Sequence, residues 1–89
     1  MDRTVEFHPA AMEESEAARE WYAERSVIAA KAFVSEMNHA VDRITETPER
    51  WPYYLGDTRR YIFPRFPFSL TYRIIDDRIQ IMSPKSNDT

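Results

Sequence analysis

Arg59, Arg60, Arg65 and Arg73 fall within residues 59–73, a stretch that holds no acidic side chain. Tyr61, Phe63, Phe66, Phe68 and Tyr72 are interleaved with them. A guanidinium is permanently charged and forks onto carboxylate or phosphate, so the chemistry on offer is anion recognition. Two uses fit. The arginines can form a basic sheet surface that engages a partner's carboxylates. They can equally be solvated, or pair with acids elsewhere in the chain, where exposed pairs contribute only ~0–1 kcal/mol each. Catalytic constellations are not expected. Ser15, Ser35 and Ser69 lack a His–acid pair for nucleophilic attack. His8 and His39 have no second His or Cys at ligand spacing, so no metal is expected. The single glycine, Gly56, excludes a Gly-rich phosphate loop, and no cofactor is expected.

A chain of 89 residues makes one domain. With 43% hydrophobic residues it can fold around a core rather than remain disordered. The absence of cysteine removes disulfides and thiolate chemistry and fits a cytoplasmic setting. Met1 to Glu6 show no apolar segment of the kind a signal peptide needs, and no apolar run approaches a membrane span. The net charge of −3 hides an asymmetry. Residues 1–50 carry six Lys/Arg against eleven Asp/Glu, while residues 51–89 carry six against four. Acidic and basic halves predict separate surfaces with different partners. The basic half is too small for the broad cationic footprint of non-specific nucleic-acid binding.

The elements that must position the arginines follow from periodicity. Residues 3–7 alternate and predict a short strand. Pro9 suits the first position of a helix over 9–25, with His8 capping or turning the chain before it. Ala11, Ala18, Trp21 and Tyr22 share one face, the alanines allowing close helix approach and the aromatics anchoring the end. Ser26 caps a second helix over 27–47, whose apolar residues recur at Ala30, Phe33, Met37, Ala40, Val41 and Ile44. His39 falls on this helix and is expected to be exposed. Pro48 ends it, and the short link before it predicts an antiparallel hairpin. Residues 48–58 read as a connection, with Trp51 and one tyrosine folded over the core. Three strands follow, over 59–63, 68–75 and 78–82. In the second, Phe68, Leu70, Tyr72 and Ile74 face the core. The expected fold is α+β: an N-terminal strand, a helix hairpin and a three-stranded antiparallel sheet. Residues 1–82 form the domain, and 83–89 are a polar, frayed tail.

His8-Pro9-Ala10-Ala11, Trp21-Tyr22, Ile44 to Pro52, and Arg59-Arg60-Tyr61 with Arg65-Phe66-Pro67-Phe68 and Tyr72-Arg73 together resemble the RelE/ParE superfamily, toxins of bacterial type II toxin–antitoxin modules. The resemblance is closer to ParE-like, plasmid-stabilisation members and covers roughly residues 3–82. It implies growth inhibition by a toxin neutralised by a cognate antitoxin. It implies mRNA cleavage on the ribosome for RelE-type members and inhibition of DNA gyrase for ParE-type members. Ribonuclease members carry much of their catalytic equipment in a basic tail with a closing aromatic. Here Ser83 to Thr89 contain one basic residue, Lys85, with no His or aromatic.

That departure favours binding over catalysis. The expectation is a toxin that binds a protein target, with gyrase first among candidates, through one apolar and basic surface for which antitoxin and target compete. Arg59, Arg60, Arg65 and Arg73 are the expected target- or antitoxin-binding residues. The alternatives are a RelE-type endoribonuclease and a degenerate, non-toxic module that only captures antitoxin. Homodimerisation without antitoxin is a further expectation; membrane and sequence-specific nucleic-acid contacts are not.

Overall fold

Two side chains set where the helices begin. In the computed structural model, which describes residues 4–86, His8 Nδ1 accepts a hydrogen bond from the Ala10 N–H at 3.1 Å. Helix α1 (Pro9–Ala23) starts immediately after that cap. Ser26 Oγ likewise accepts from the Ala29 N–H at 3.2 Å and opens α2 (Val27–Glu46). Such a cap satisfies one of the orphan donors at a helix start. Only residues 24–26 separate the helices, so they return antiparallel. Ala11 is fully buried beneath the hairpin, and α2 buries Ala30, Phe33, Met37, Ala40 and Ile44 at the spacing read from the sequence.

The strands are β1 (Thr4–Phe7), β2 (Tyr53–Leu55), β3 (Thr58–Ile62), β4 (Phe68–Ile75) and β5 (Arg78–Ser86). They form one sheet in the order β1-β5-β4-β3-β2. The α+β class stands, but the sheet has five strands and is mixed. Strand β1 lies parallel to β5, with Val5 opposite Ile79; the other pairings are antiparallel. Four strands follow the helices rather than three.

Two of the expected boundaries move. The connection over 48–58 contains β2, a three-residue edge strand returned by a turn at Gly56, whose φ is +56°. Glycine takes that conformation without steric cost. Strand β5 runs through Ser86, so Ser83 to Ser86 are paired with β4 and are not a frayed tail. Residues 87–89, and Arg3 at the head of the expected first strand, lie outside the described residues. Beyond Ile81 the pairing with β1 stops, so β5 has β4 alone as its strand neighbour there. Proline is tolerated in such an edge segment, and Pro84 occupies it. Between Thr71–Ser83 and Tyr72–Ile81 the register shifts, leaving Met82 as the extra residue of a bulge.

Both helices stand on one face of the sheet. Tyr61, Phe63, Leu70, Tyr72, Ile79 and Ile81 point into that layer and meet Phe33, Met37, Ala40 and Ile44. The Tyr72 hydroxyl, inside the core, donates to the Pro48 carbonyl at 2.6 Å. Burial pushes its phenol far above the ordinary value. Trp51 does fold back, edge-on to Tyr61 with ring centroids 4.7 Å apart. Tyr53 and Tyr54 do not; both are exposed. No helix among the described residues is long and apolar enough to cross a membrane.

Candidate functional site

Strand alternation decides what each arginine can do, because adjacent residues point to opposite faces. Arg59 is opposite Tyr72 and Arg60 opposite Thr71. Arg59 therefore shares the core face with Tyr61. Its Nη1 donates to the carbonyls of Glu49 at 3.0 Å and Trp51 at 2.6 Å, and its guanidinium lies 4.0 Å from the Tyr53 ring centroid. It fastens the 48–52 connection to the sheet. Arg60 points to the other face and lies 4.4 Å from the Tyr54 ring centroid. Arg73 joins it there, with Nε donating to Gln80 Oε1 at 2.8 Å. Arg65 stands apart, in the bend between β3 and β4, and pairs through Nε with Glu36 Oε1 of α2 at 3.0 Å. That pair is lopsided. The Arg65 side chain is 77% exposed and that of Glu36 only 8%, and Glu36 Oε2 is buried without a hydrogen-bond partner.

The four arginines are thus not one surface. Arg60 and Arg73 share the open sheet face, Arg59 serves the core side and Arg65 fastens the bend. The expectation of a single apolar and basic surface is corrected accordingly: the twist-and-pleat geometry of β3 sends consecutive arginines to opposite sides.

The apolar part lies elsewhere. A groove of about 710 Å³ runs between α1 and the end of the sheet. Ala17 and Ala18 form its helical side, Trp21 and Tyr22 one end, and Pro67, Phe68 and Pro84 the opposite wall. Glu14 and Lys85 stand at its margin. Trp21 is 50% exposed, so it does not anchor the core as its spacing suggested; Tyr22 does, stacked on Phe33 at 5.4 Å between centroids. Arg25 covers the indole of Trp21 at 3.6 Å from the ring centroid. Phe66 holds the groove's wall in place by packing edge-on against Tyr22 at 5.1 Å and Phe33 at 5.5 Å. The arginines carry no sign of this groove. Its signal was present in the adjacent small residues Ala17 and Ala18, which leave space on α1 beside a large Trp21.

His8 is occupied as a helix cap and His39 is exposed on α2. Among the described residues no group of His, Asp or Glu side chains could hold a metal ion.

Residues 5–83 match the model of a family described as the ParE toxin of the type II toxin–antitoxin system parDE. The chain belongs to the ParE toxin family. Among solved structures, its fold is similar to a chain of the chromosomal ParDE TA system from P. aeruginosa, with a TM-score of 0.81. The two are 18% identical, and the match covers 94% of this chain and 95% of the other. No curated protein matches. The ParE family is thus placed on the described fold: the helix hairpin on one side, the five-stranded mixed sheet on the other, and the α1 groove where they meet at the end of β4 and β5.

Proposed function

We propose that this type II toxin acts by binding a protein target, with DNA gyrase as the first candidate, and is neutralised by a cognate antitoxin. The observation that carries the reading is the α1 groove. An exposed tryptophan, two prolines and a phenylalanine facing two alanines form a docking trough for an apolar segment. The half-exposed Trp21 beside these apolar walls offers an anchor of the kind that dominates protein interfaces. The antitoxin takes the groove in this reading. Arg60 and Arg73 contribute target contacts from the open sheet face, and Arg59 and Arg65 position the scaffold.

The binding reading is supported over ribonuclease chemistry by the placement of the histidines. RNA cleavage needs groups that move protons at the 2′-oxygen and the leaving oxygen. Neither His8 nor His39 lies on the face that carries Arg60 and Arg73. Induction of the toxin in cells, with and without co-expressed antitoxin, separates the possibilities. Growth arrest with intact transcripts, relieved by the antitoxin, is the expected result. Cleaved messenger RNA would return the chain to the endoribonuclease reading, and unimpaired growth to the degenerate module.

A further inference from the structure

The two edges of the sheet are finished differently. Strand β1 closes one side and β2 the other. Unpaired backbone along an edge is a template for another strand, and charged side chains are one way of blunting it. On β1 the carboxylate of Glu6 is held by Arg78 at 3.1 Å, so a charged pair stands at that edge. Strand β2 is short, but its three residues, Tyr53, Tyr54 and Leu55, carry no charge. They are 62%, 50% and 74% exposed.

The backbone of β2 is open at one defined place. The Arg60 N–H donates to the Pro52 carbonyl at 3.1 Å, so Pro52 and Arg60 turn toward each other across the pair. Bonded and non-bonded pairs alternate along an antiparallel ladder. Tyr53, opposite Arg59, is therefore in a non-bonded pair, and its N–H and C=O point away from β3. Among the described residues neither group has a hydrogen-bond partner. A register shift follows between Tyr53 and Leu55, and Leu55 lies opposite Thr58 at the Gly56 turn. Tyr53 thus offers a donor and an acceptor side by side on the free edge.

We infer that the free toxin forms a two-fold dimer through this β2 edge, with a second copy of the chain as the occupant. A donor and an acceptor on one residue are self-complementary about a two-fold axis. With Tyr53 antiparallel to Tyr53 of the other copy, the two residues exchange both N–H···O=C bonds and the sheets join edge to edge. Counting outward from that pair sets Leu55 opposite Trp51 and Tyr54 opposite Pro52, apolar against apolar. It also sets Arg50 opposite Gly56, beside the Asp57 carboxylate of the other copy. Arg50 and Asp57 are both exposed, and neither is in an ion pair among the described residues. The pairing therefore supplies each with an opposite charge, twice by symmetry. Glu49, the neighbouring acid, is within electrostatic reach of the buried Tyr72 on the helix side of the sheet. The contact is small, so the dimer is reversible and fills as concentration rises. No residue lining the α1 groove belongs to β2 or β3, so the groove stays open in the dimer.

The test uses the whole chain without antitoxin. Sedimentation over a concentration series is expected to show a monomer–dimer equilibrium. R50E sets like charges beside Asp57 at two symmetric contacts and is expected to weaken the dimer roughly tenfold. R50E/D57R is expected to restore it. The chain has no cysteine, so a single introduced one reports the register. Bonded cross-strand pairs stand about 5.5 Å apart at Cα, within disulfide reach. Y53C is expected to cross-link to dimer under mild oxidation, and E6C on the β1 edge to remain monomeric. Hydrogen exchange on the wild type keeps the test valid if a variant fails to fold: the Tyr53 amide should slow as the dimer fills. A monomer at every concentration, a dimer indifferent to R50E, cross-linking of E6C rather than Y53C, or unchanged exchange at Tyr53 would each overturn the inference. None of these readouts uses toxicity, gyrase or antitoxin, so failure here leaves the target reading untouched.

Discussion

Arg59→Ala and Arg60→Ala are predicted to behave differently although the residues adjoin. Losing Arg59 removes the two charge-assisted hydrogen bonds it donates to the Glu49 and Trp51 carbonyls, and should destabilise the fold by about 1–3 kcal/mol. Losing Arg60 removes an exposed contact over Tyr54 and should cost within ~0.5 kcal/mol. Urea denaturation of the two variants checks the contrast. Tyr72 supplies a pH dependence. Its phenol is buried, and its pKa is raised above the ordinary value of 10.0 chiefly by that burial. The unfolded chain therefore releases the proton first. Stability is fully present below about pH 10 and is lost as pH rises above it, because only the unfolded state then ionises freely. Tyr72→Phe should lower the melting temperature at neutral pH by stranding the Pro48 carbonyl, yet flatten the alkaline decline. Melting curves from pH 7 to 11 on both proteins measure this.

The bend between β3 and β4 is tied to α2 by one ion pair, besides its own backbone hydrogen bonds and the packing of Phe66. Glu36 is buried on α2, and its cationic partner comes from the exposed Arg65. Exposed pairs contribute little, but removing the partner of a buried carboxylate leaves an uncompensated charge. Arg65→Ala should therefore destabilise the protein, and adding Glu36→Gln should recover part of the loss. A double-mutant cycle in urea tests the coupling; simple additivity would place the bend's stability elsewhere, in Phe66 packing.

The elements also show what the sequence could convey. Both helices were legible because Ser26 and Pro48 punctuate α2 and its apolar residues recur at helical spacing. The core face of β4 was legible at Leu70 and Tyr72, which alternate as a half-buried strand must. Strand β2 was not legible: three residues between Pro52 and Gly56 give no period to count. The end of β5 was hidden by Pro84, which reads as a breaker unless the neighbouring strand is known to have ended. The β1–β5 pairing joins opposite ends of the chain, and no local pattern encodes it. The arginine cluster was legible as chemistry but not as geometry. One sequence run contained a core-side clamp, a helix-bound latch and two face residues, and only the register separates them.

Across the whole molecule, the two sides of the sheet carry different surfaces. Acidic residues crowd α1, while Arg60 and Arg73 sit across the sheet. The groove beside α1 joins these sides only at its margin, near Lys85. Ala17→Trp should fill the groove at an exposed position, weaken antitoxin binding by roughly tenfold or more, and leave the melting temperature nearly unchanged. Calorimetric titration with the antitoxin checks it. Under the binding reading, this ParE-family toxin inhibits a protein target until its antitoxin binds. The most direct test is DNA supercoiling by purified gyrase over a titration of the toxin, with and without an equimolar amount of antitoxin. Progressive loss of supercoiling that the antitoxin restores is the expected result. Full supercoiling at saturating toxin would contradict the gyrase assignment, and inhibition untouched by antitoxin would contradict the neutralisation.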